Sequence, residues 1–146
     1  MKSKITAKRA VIEKEWDGDF EVTAMAGELR QVYSNLLGNS LDAIDEGGTI
    51  KLRISAGVDS KNGRRCVRVA VADNGKGISA SSKKQLFEPF FTTKGSVGTG
   101  LGLWVSKQII DKHCGTIRVR SNTNGARRGT VFSVILPVES VTALST

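Results

Sequence analysis

The sequence predicts a two-layer α+β domain, with helices on one face of a largely antiparallel sheet. Three observations lead there. Two stretches carry apolar residues at helical spacing. Two pairs of alternating stretches flank turn-rich loops. The repeated β-α-β pattern of a doubly wound parallel sheet is missing.

The elements follow in order. Residues 1–10 read as a short polar lead-in of one helical turn or two, at a flexible end. Val11 to Trp16 and Phe20 to Thr23 read as short strands joined at Asp17-Gly18-Asp19, a turn composition. From Gly27 to Ile44 the period becomes helical. Leu29, Val32, Tyr33, Leu36, Leu37, Leu41 and Ile44 recur at three- and four-residue steps. Gly47-Gly48 stops that helix. Ile50, Leu52, Ile54 and Ala56 then alternate, as do Val67, Val69 and Val71, around Asp59-Ser60-Lys61-Asn62-Gly63. That pattern is a hairpin. A Ser/Lys-rich polar segment runs to about Gln85. Leu101 to Cys114 reads as a second helix. Thr116 to Ser121 and Thr130 to Leu136 make a second hairpin around Asn122-Thr123-Asn124-Gly125. The core is expected over about 11–137, within one domain of residues 1–146, with 138–146 as a second flexible end.

The totals narrow the class. A chain of 146 residues, 39% hydrophobic and 25% charged, is a globular domain with a real core. No apolar run approaches the ~20 residues of a membrane span. Two cysteines without metal-type spacing, Cys66 and Cys114, fit reduced thiols and a cytoplasmic location. The net charge is +8, but its cations are scattered along the chain. Scattered cations favour an anionic ligand over nucleic acid, whose binders cluster them.

The first helix carries a polar stripe. With Glu28 at the origin and ~100° per residue, Asn35, Asn39 and Asp42 fall within an arc of roughly 60°. Two asparagines one turn apart offer carbonyl oxygens to one point, and such oxygens suit Mg²⁺. Asparagine is a poor helix-interior residue, which sets this face apart from an ordinary solvated one.

Two glycine loops follow. The first is Asp73-Asn74-Gly75-Lys76-Gly77-Ile78, at the end of an apolar strand. An ionised Asp73 accepts hydrogen bonds only, so it would take the exocyclic amine of adenine and reject the guanine carbonyl. Gly75 and Gly77 would let backbone come close to the base. The second loop is Gly98-Thr99-Gly100-Leu101-Gly102-Leu103, which opens the second helix. Helix N-termini favour anions. Between the loops stand Phe87-Glu88-Pro89-Phe90-Phe91 and Thr92-Thr93-Lys94. The first supplies apolar anchors for a lid. The second supplies hydroxyls and a cation for phosphate. A Walker A loop is absent.

These four elements, in this order, resemble the catalytic and ATP-binding domain of sensor histidine kinases, within the larger group that includes gyrase, MutL and Hsp-type chaperone ATPases. E-L-R-Q-V-Y-S-N-L-L-G-N-S-L-D-A resembles the N box, D-N-G-K-G-I the first glycine box, F-E-P-F-F-T-T-K the F box and G-T-G-L-G-L the second glycine box. Ser40 departs from the pattern, which commonly has alanine there.

The resemblance implies a mixed, mostly antiparallel five-stranded sheet covered on one face by three helices, with a mobile ATP lid. It implies ATP and Mg²⁺ as cofactors. Asn39 would be the principal metal ligand, with Asn35 near the metal or phosphates. Asn39 and Lys94 would carry catalysis. Asp42, Asp73, Gly75, Gly77, Ile78 and Phe91 would join the nucleotide site, with Thr92, Thr93, Lys94, Gly98, Thr99, Gly100, Leu101, Gly102 and Leu103 at its phosphate end. The partners implied are a dimerisation domain bearing the phosphoacceptor histidine and, downstream, a response regulator. The domain by itself is expected to be monomeric, and its parent kinase is allowed a membrane anchor. Two other readings on the same fold stay open, a serine kinase of the anti-sigma-factor type and a gyrase-like ATPase. The one histidine, His113, stands near the end of the second helix, where family members often have histidine for structural reasons.

Overall fold

The computed structural model describes residues 2–17, 27–91 and 101–137. The element order is α1 (Lys2–Lys8), β1 (Val11–Asp17), α2 (Gly27–Ala43), β2 (Thr49–Val58), β3 (Arg65–Asp73), α3 (Ala80–Lys83), α4 (Gly102–Lys112), β4 (Thr116–Asn122) and β5 (Gly129–Pro137). Five strands form one mixed sheet in the order β1-β2-β3-β5-β4. Among the described residues only β1 and β2 pair in parallel; the other three pairings are antiparallel. Both expected hairpins form, with Ile54 opposite Val69 in the first and Val119 opposite Phe132 in the second. The expected strand Phe20–Thr23 lies outside the described residues.

Strand alternation decides which face is covered. Ile50, Leu52 and Ile54, then Val67, Val69 and Val71, then Phe132, Val134 and Leu136 are all buried. Their neighbours Lys51, Arg53, Arg68, Arg118 and Arg120 are exposed on the opposite face. The helices cover the apolar face. From α2 come Leu29, Val32, Leu36, Leu37 and Leu41, with Ile44 just beyond its end; from α4 come Ile109 and Ile110. Each buried aliphatic side chain contributes about 1.5–3 kcal/mol relative to exposure.

Two elements differ from the sequence reading. Residues 2–8, read as a lead-in of one or two helical turns, form the seven-residue α1, which adds a fourth described helical segment to the three that the resemblance implies. Lys8 at its end donates its ammonium to the carbonyls of Leu41 at 2.7 Å, Asp42 at 3.2 Å and Ile44 at 2.8 Å. A cation over the unsatisfied carbonyls of a helix C-terminus meets the negative end of its dipole. The second difference is β1. It runs in parallel beside β2, with α2 in the connection between them. Parallel neighbours require such a crossover.

Candidate functional site

The polar stripe of α2 survives folding. Asn35, Asn39 and Asp42 are each half-buried, between the core face and the exposed face. Asn35 donates its amide to the Gly102 carbonyl at 3.1 Å and to the Ser106 hydroxyl at 3.2 Å. It therefore binds α2 to the first turn of α4. Asn39 stands one turn further on, with its amide nitrogen fully enclosed. Gly102 lies within van der Waals reach of Asn35, and a methyl group there would stand 3.8 Å from the Asn35 carbonyl oxygen. The N box and the second glycine box thus meet in space.

Asp73 ends β3 and points its carboxylate back at its own loop. Its Oδ1 accepts the Gly75 N–H at 2.9 Å. Burial pushes the carboxyl above the ordinary aspartate range, because a charge is costly away from water. The Gly75 N–H, the Ser40 hydroxyl and the Thr130 backbone N–H pull the other way. The balance leaves a partly desolvated acceptor under α2.

The loop after Asp73 is fastened on three sides. Lys76 donates its N–H to the Ala43 carbonyl at 3.1 Å, Ile78 donates to the Ser121 hydroxyl at 2.6 Å, and Thr49 donates to the Asn74 side chain at 2.9 Å. Its glycines serve this packing. A methyl group on Gly75 would stand 2.5 Å from the Ala43 carbonyl oxygen. One on Gly77 would strike the Asn122 carbonyl, and Gly77 has φ of +78°, in the region where glycine is unstrained. The close approaches are to the protein's own backbone, in addition to any made to a ligand.

The F box is anchored differently from the sequence reading, which placed the anchors at Phe87, Phe90 and Phe91. Leu86 is buried and Phe87 packs half-buried on the core, while Phe90 is 73% exposed. Phe90 also has φ of +66°, an uncommon conformation for a bulky residue. Phe91 is half-buried. Leu101, Gly102 and Leu103 open α4, all half-buried, and the N-cap position is Leu101, whose side chain has no group to cap it. Thr92, Thr93, Lys94, Gly98, Thr99 and Gly100 lie outside the described residues.

Sequence reasoning noted Ser40 only as a departure from the pattern and missed three further hydroxyls. Ser40 and Ser106 are fully buried on the two helices, and Ser121 and Thr130 face each other across β4 and β5. The Ser121 and Thr130 hydroxyls are 2.8 Å apart. A signal for the last pair existed. Both stand in the inward phase of strands whose other inward residues are Ile117, Val119, Phe132 and Val134.

A family model described as histidine kinase-, DNA gyrase B- and HSP90-like ATPase matches residues 24–140. The chain belongs to this family. Within it the likeness is to histidine kinases. The signal transduction histidine-protein kinase AtoS of Escherichia coli K12 is 43% identical over 110 residues, which cover 75% of this chain and 17% of AtoS. Sporulation kinase E of Bacillus subtilis is 41% identical over 111 residues, 76% of this chain and 14% of that kinase. The chain thus spans less than a fifth of the length of these relatives. Among solved structures, the catalytic domain of the histidine kinase ThkA superposes with a TM-score of 0.73 at 32% identity, covering 93% of this chain and 85% of that one. The chain is a catalytic ATP-binding domain of the sensor histidine kinase type, with that domain's fold. Among the described residues no helix is long and apolar enough to cross a membrane.

Proposed function

We propose that this domain binds Mg·ATP and transfers the γ-phosphate to a histidine on a separate dimerisation domain, from which a response regulator takes it. The observation that carries the reading is the Asp73 carboxylate. It is half-buried at the end of β3, and its orientation is set by the Gly75 N–H. Such an acceptor suits the exocyclic amine of adenine. From there α2 leads along Asn39 and Asn35 to the start of α4, so a nucleotide with its base at Asp73 would carry its phosphates, and the metal on them, toward Gly102.

The residues present fit Mg²⁺. Among the described residues no cluster of three or more histidines, cysteines or carboxylates is built to hold a metal. The available donors on α2 are amide oxygens, hard ligands of the kind Mg²⁺ takes together with phosphate and water. Asn39 would hold the ion and Asn35 would flank it. The metal would neutralise charge developing on the phosphates. Gly102 and the start of α4, with Lys94, Thr92, Thr93, Gly98, Thr99 and Gly100 as implied by the family pattern, would receive the phosphates. Positioning and charge stabilisation would supply the catalysis. A cytoplasmic location fits an ATP-dependent kinase domain.

The test is calorimetric titration with ATP and GTP in Mg²⁺. Tighter binding of ATP is expected. Equal affinity for the two would remove the base-reading role of Asp73.

A further inference from the structure

The cations are scattered along the sequence, and the fold gathers five of them. Strand alternation sets Lys51 and Arg53 of β2, Arg68 of β3, and Arg118 and Arg120 of β4 on the sheet face away from the helices, all exposed. The pairing register aligns them. Arg53 stands opposite Ala70, Ala70 opposite Ser133 and Ser133 opposite Arg118. One row away, Lys51, Ala72, Val131 and Arg120 line up in the same way. Two cationic rims, on β2 and β4, thus flank a floor of mostly small residues on β3 and β5. Three strand spacings of ~4.8 Å put the rims about 14 Å apart. Arg68 lies between them, and its guanidinium donates to the Ser133 hydroxyl at 3.2 Å.

The domain does little to neutralise these charges itself. Lys51 meets Glu15 at 3.3 Å, with both side chains about half exposed. Exposed pairs of this kind contribute little. Among the described residues, Arg53, Arg118 and Arg120 enter no ion pair, and Arg68 has a neutral hydroxyl as its partner. On β3, β4 and β5 this face carries no carboxylate. Like charges held on one face repel each other, and an anionic partner relieves that repulsion. Four of the five heads are guanidiniums, planar forks that suit carboxylates and that protein interfaces favour over lysine. The strands β2 to β5 set no aromatic ring on this face for a base to stack on.

We propose that this face docks an acidic helix of a partner protein, laid along the strands between the two rims. A helix with its side chains is about 10–12 Å across, which fits between rims about 14 Å apart. Carboxylates at three- and four-residue steps share one helix face and would meet the arginines of both rims and Arg68 between them. The small side chains of Ala70 and Ala72 let the helix come close. A helix on an open sheet face adds a third layer to the domain. The proposed nucleotide site lies on the other side of the sheet, so docking leaves it open.

The test uses the whole chain and a synthetic helical peptide with glutamates at three- and four-residue steps on one face. The comparison probes are a peptide of equal charge and helicity with its glutamates spread around all faces, a mixed-sequence DNA duplex, and vesicles of phosphatidylglycerol and phosphatidylcholine. Fluorescence anisotropy reads the affinity at low and high salt. The variants are Arg118→Glu with Arg120→Glu, and Ala70→Ile, each checked by a thermal melt. The one-faced peptide should bind more tightly than the other three probes, and salt should weaken it. The double charge reversal should lower its affinity roughly tenfold or more. Ala70→Ile adds neutral bulk to the floor and should lower the affinity several-fold. A merely basic patch would be indifferent to Ala70→Ile and to the placement of the glutamates. That indifference, tighter binding of DNA or vesicles, or no binding of the one-faced peptide would overturn the proposal.

Discussion

Asn35 donates its side-chain amide to the Gly102 carbonyl at 3.1 Å, joining residues that stand 67 apart in sequence. The same nitrogen reaches the Ser106 hydroxyl at 3.2 Å, and that hydroxyl donates to the Gly102 carbonyl at 2.8 Å. The three groups form a closed knot between α2 and α4. Whatever Asn35 does for a nucleotide, its nitrogen is engaged in holding the two helices in register.

Asn35→Ala should therefore cost stability as well as activity. It removes two partly buried hydrogen bonds and leaves the Ser106 hydroxyl with one partner fewer. A loss of roughly 1–2 kcal/mol is expected. Denaturant unfolding measures it, and a midpoint equal to wild type would show that the knot contributes nothing.

Asn39→Ala should behave in the opposite way. Its oxygen is proposed to hold Mg²⁺, so phosphoryl transfer to a supplied histidine domain should be abolished while much of the nucleotide affinity remains. Single-turnover transfer with radiolabelled ATP reads this. Transfer at the wild-type rate would show that the metal ligand lies elsewhere.

Asp73 gives a pH dependence whose sign is fixed. Burial raises its carboxyl above the ordinary aspartate value, so the folded chain keeps the proton to higher pH than the unfolded chain. Stability linked to this group is greatest below the ordinary value and declines as pH rises through the raised one. ATP binding runs the other way, because the adenine amine needs the ionised acceptor. Affinity should fall on acidification, beginning above the range of an ordinary aspartate. Asp73→Asn should flatten the stability slope and weaken ATP about tenfold or more, the loss of a charge-assisted bond of ~1.5–3 kcal/mol. Calorimetry and melting across the acid range check both arms. An affinity with the same pH profile in the variant would assign the dependence to another group.

Lys8→Met should destabilise the domain while acting on the backbone carbonyl of Asp42 and not on its side chain. The ammonium serves three carbonyls at the C-terminus of α2, and the loss should be about 1–2 kcal/mol. Methionine keeps the stem, so the cost isolates the charge. Chemical denaturation reads the loss, and ATP affinity should stay within twofold of wild type. A variant as stable as wild type would make Lys8 a surface lysine.

The elements legible in the sequence were those whose signal is local. α2 announced itself through Leu29, Val32, Leu36, Leu37, Leu41 and Ile44, which are the residues it buries. The hairpins showed through alternation and their Asn/Gly turns. α1 showed only as one or two turns of lead-in, because Ile5 is the main apolar mark in a run of small and basic residues and its anchor is one lysine acting on carbonyls more than thirty residues away. The parallel pairing of β1 with β2 was hidden because pairing partners are chosen by tertiary packing. At the site, Asp73 was legible from its strand-end position. Ser40 was legible as a departure from the pattern but not as a fully buried hydroxyl, because a serine for alanine change shows no burial until the helix is packed.

The last expectation concerns His113. It forms the C-terminal boundary of α4, half-buried, with its N–H bonded to the Ile109 and Ile110 carbonyls. The proposed phosphate end is at Gly102, the other end of the same helix. Eleven residues at ~1.5 Å each place them about 16 Å apart along a rigid rod. In-line transfer needs the acceptor nitrogen at contact distance from the γ-phosphate, so His113 cannot serve within one molecule. These 146 residues with Mg·ATP should therefore acquire no acid-labile label. Adding a separate helical-hairpin domain that bears an acceptor histidine should produce one, weakly, because untethered partners lose the effective concentration of a linked pair. The assay runs wild type and His113→Ala side by side with radiolabelled ATP. A label on the lone wild-type chain that vanishes in the variant would make His113 the acceptor and require two molecules to meet.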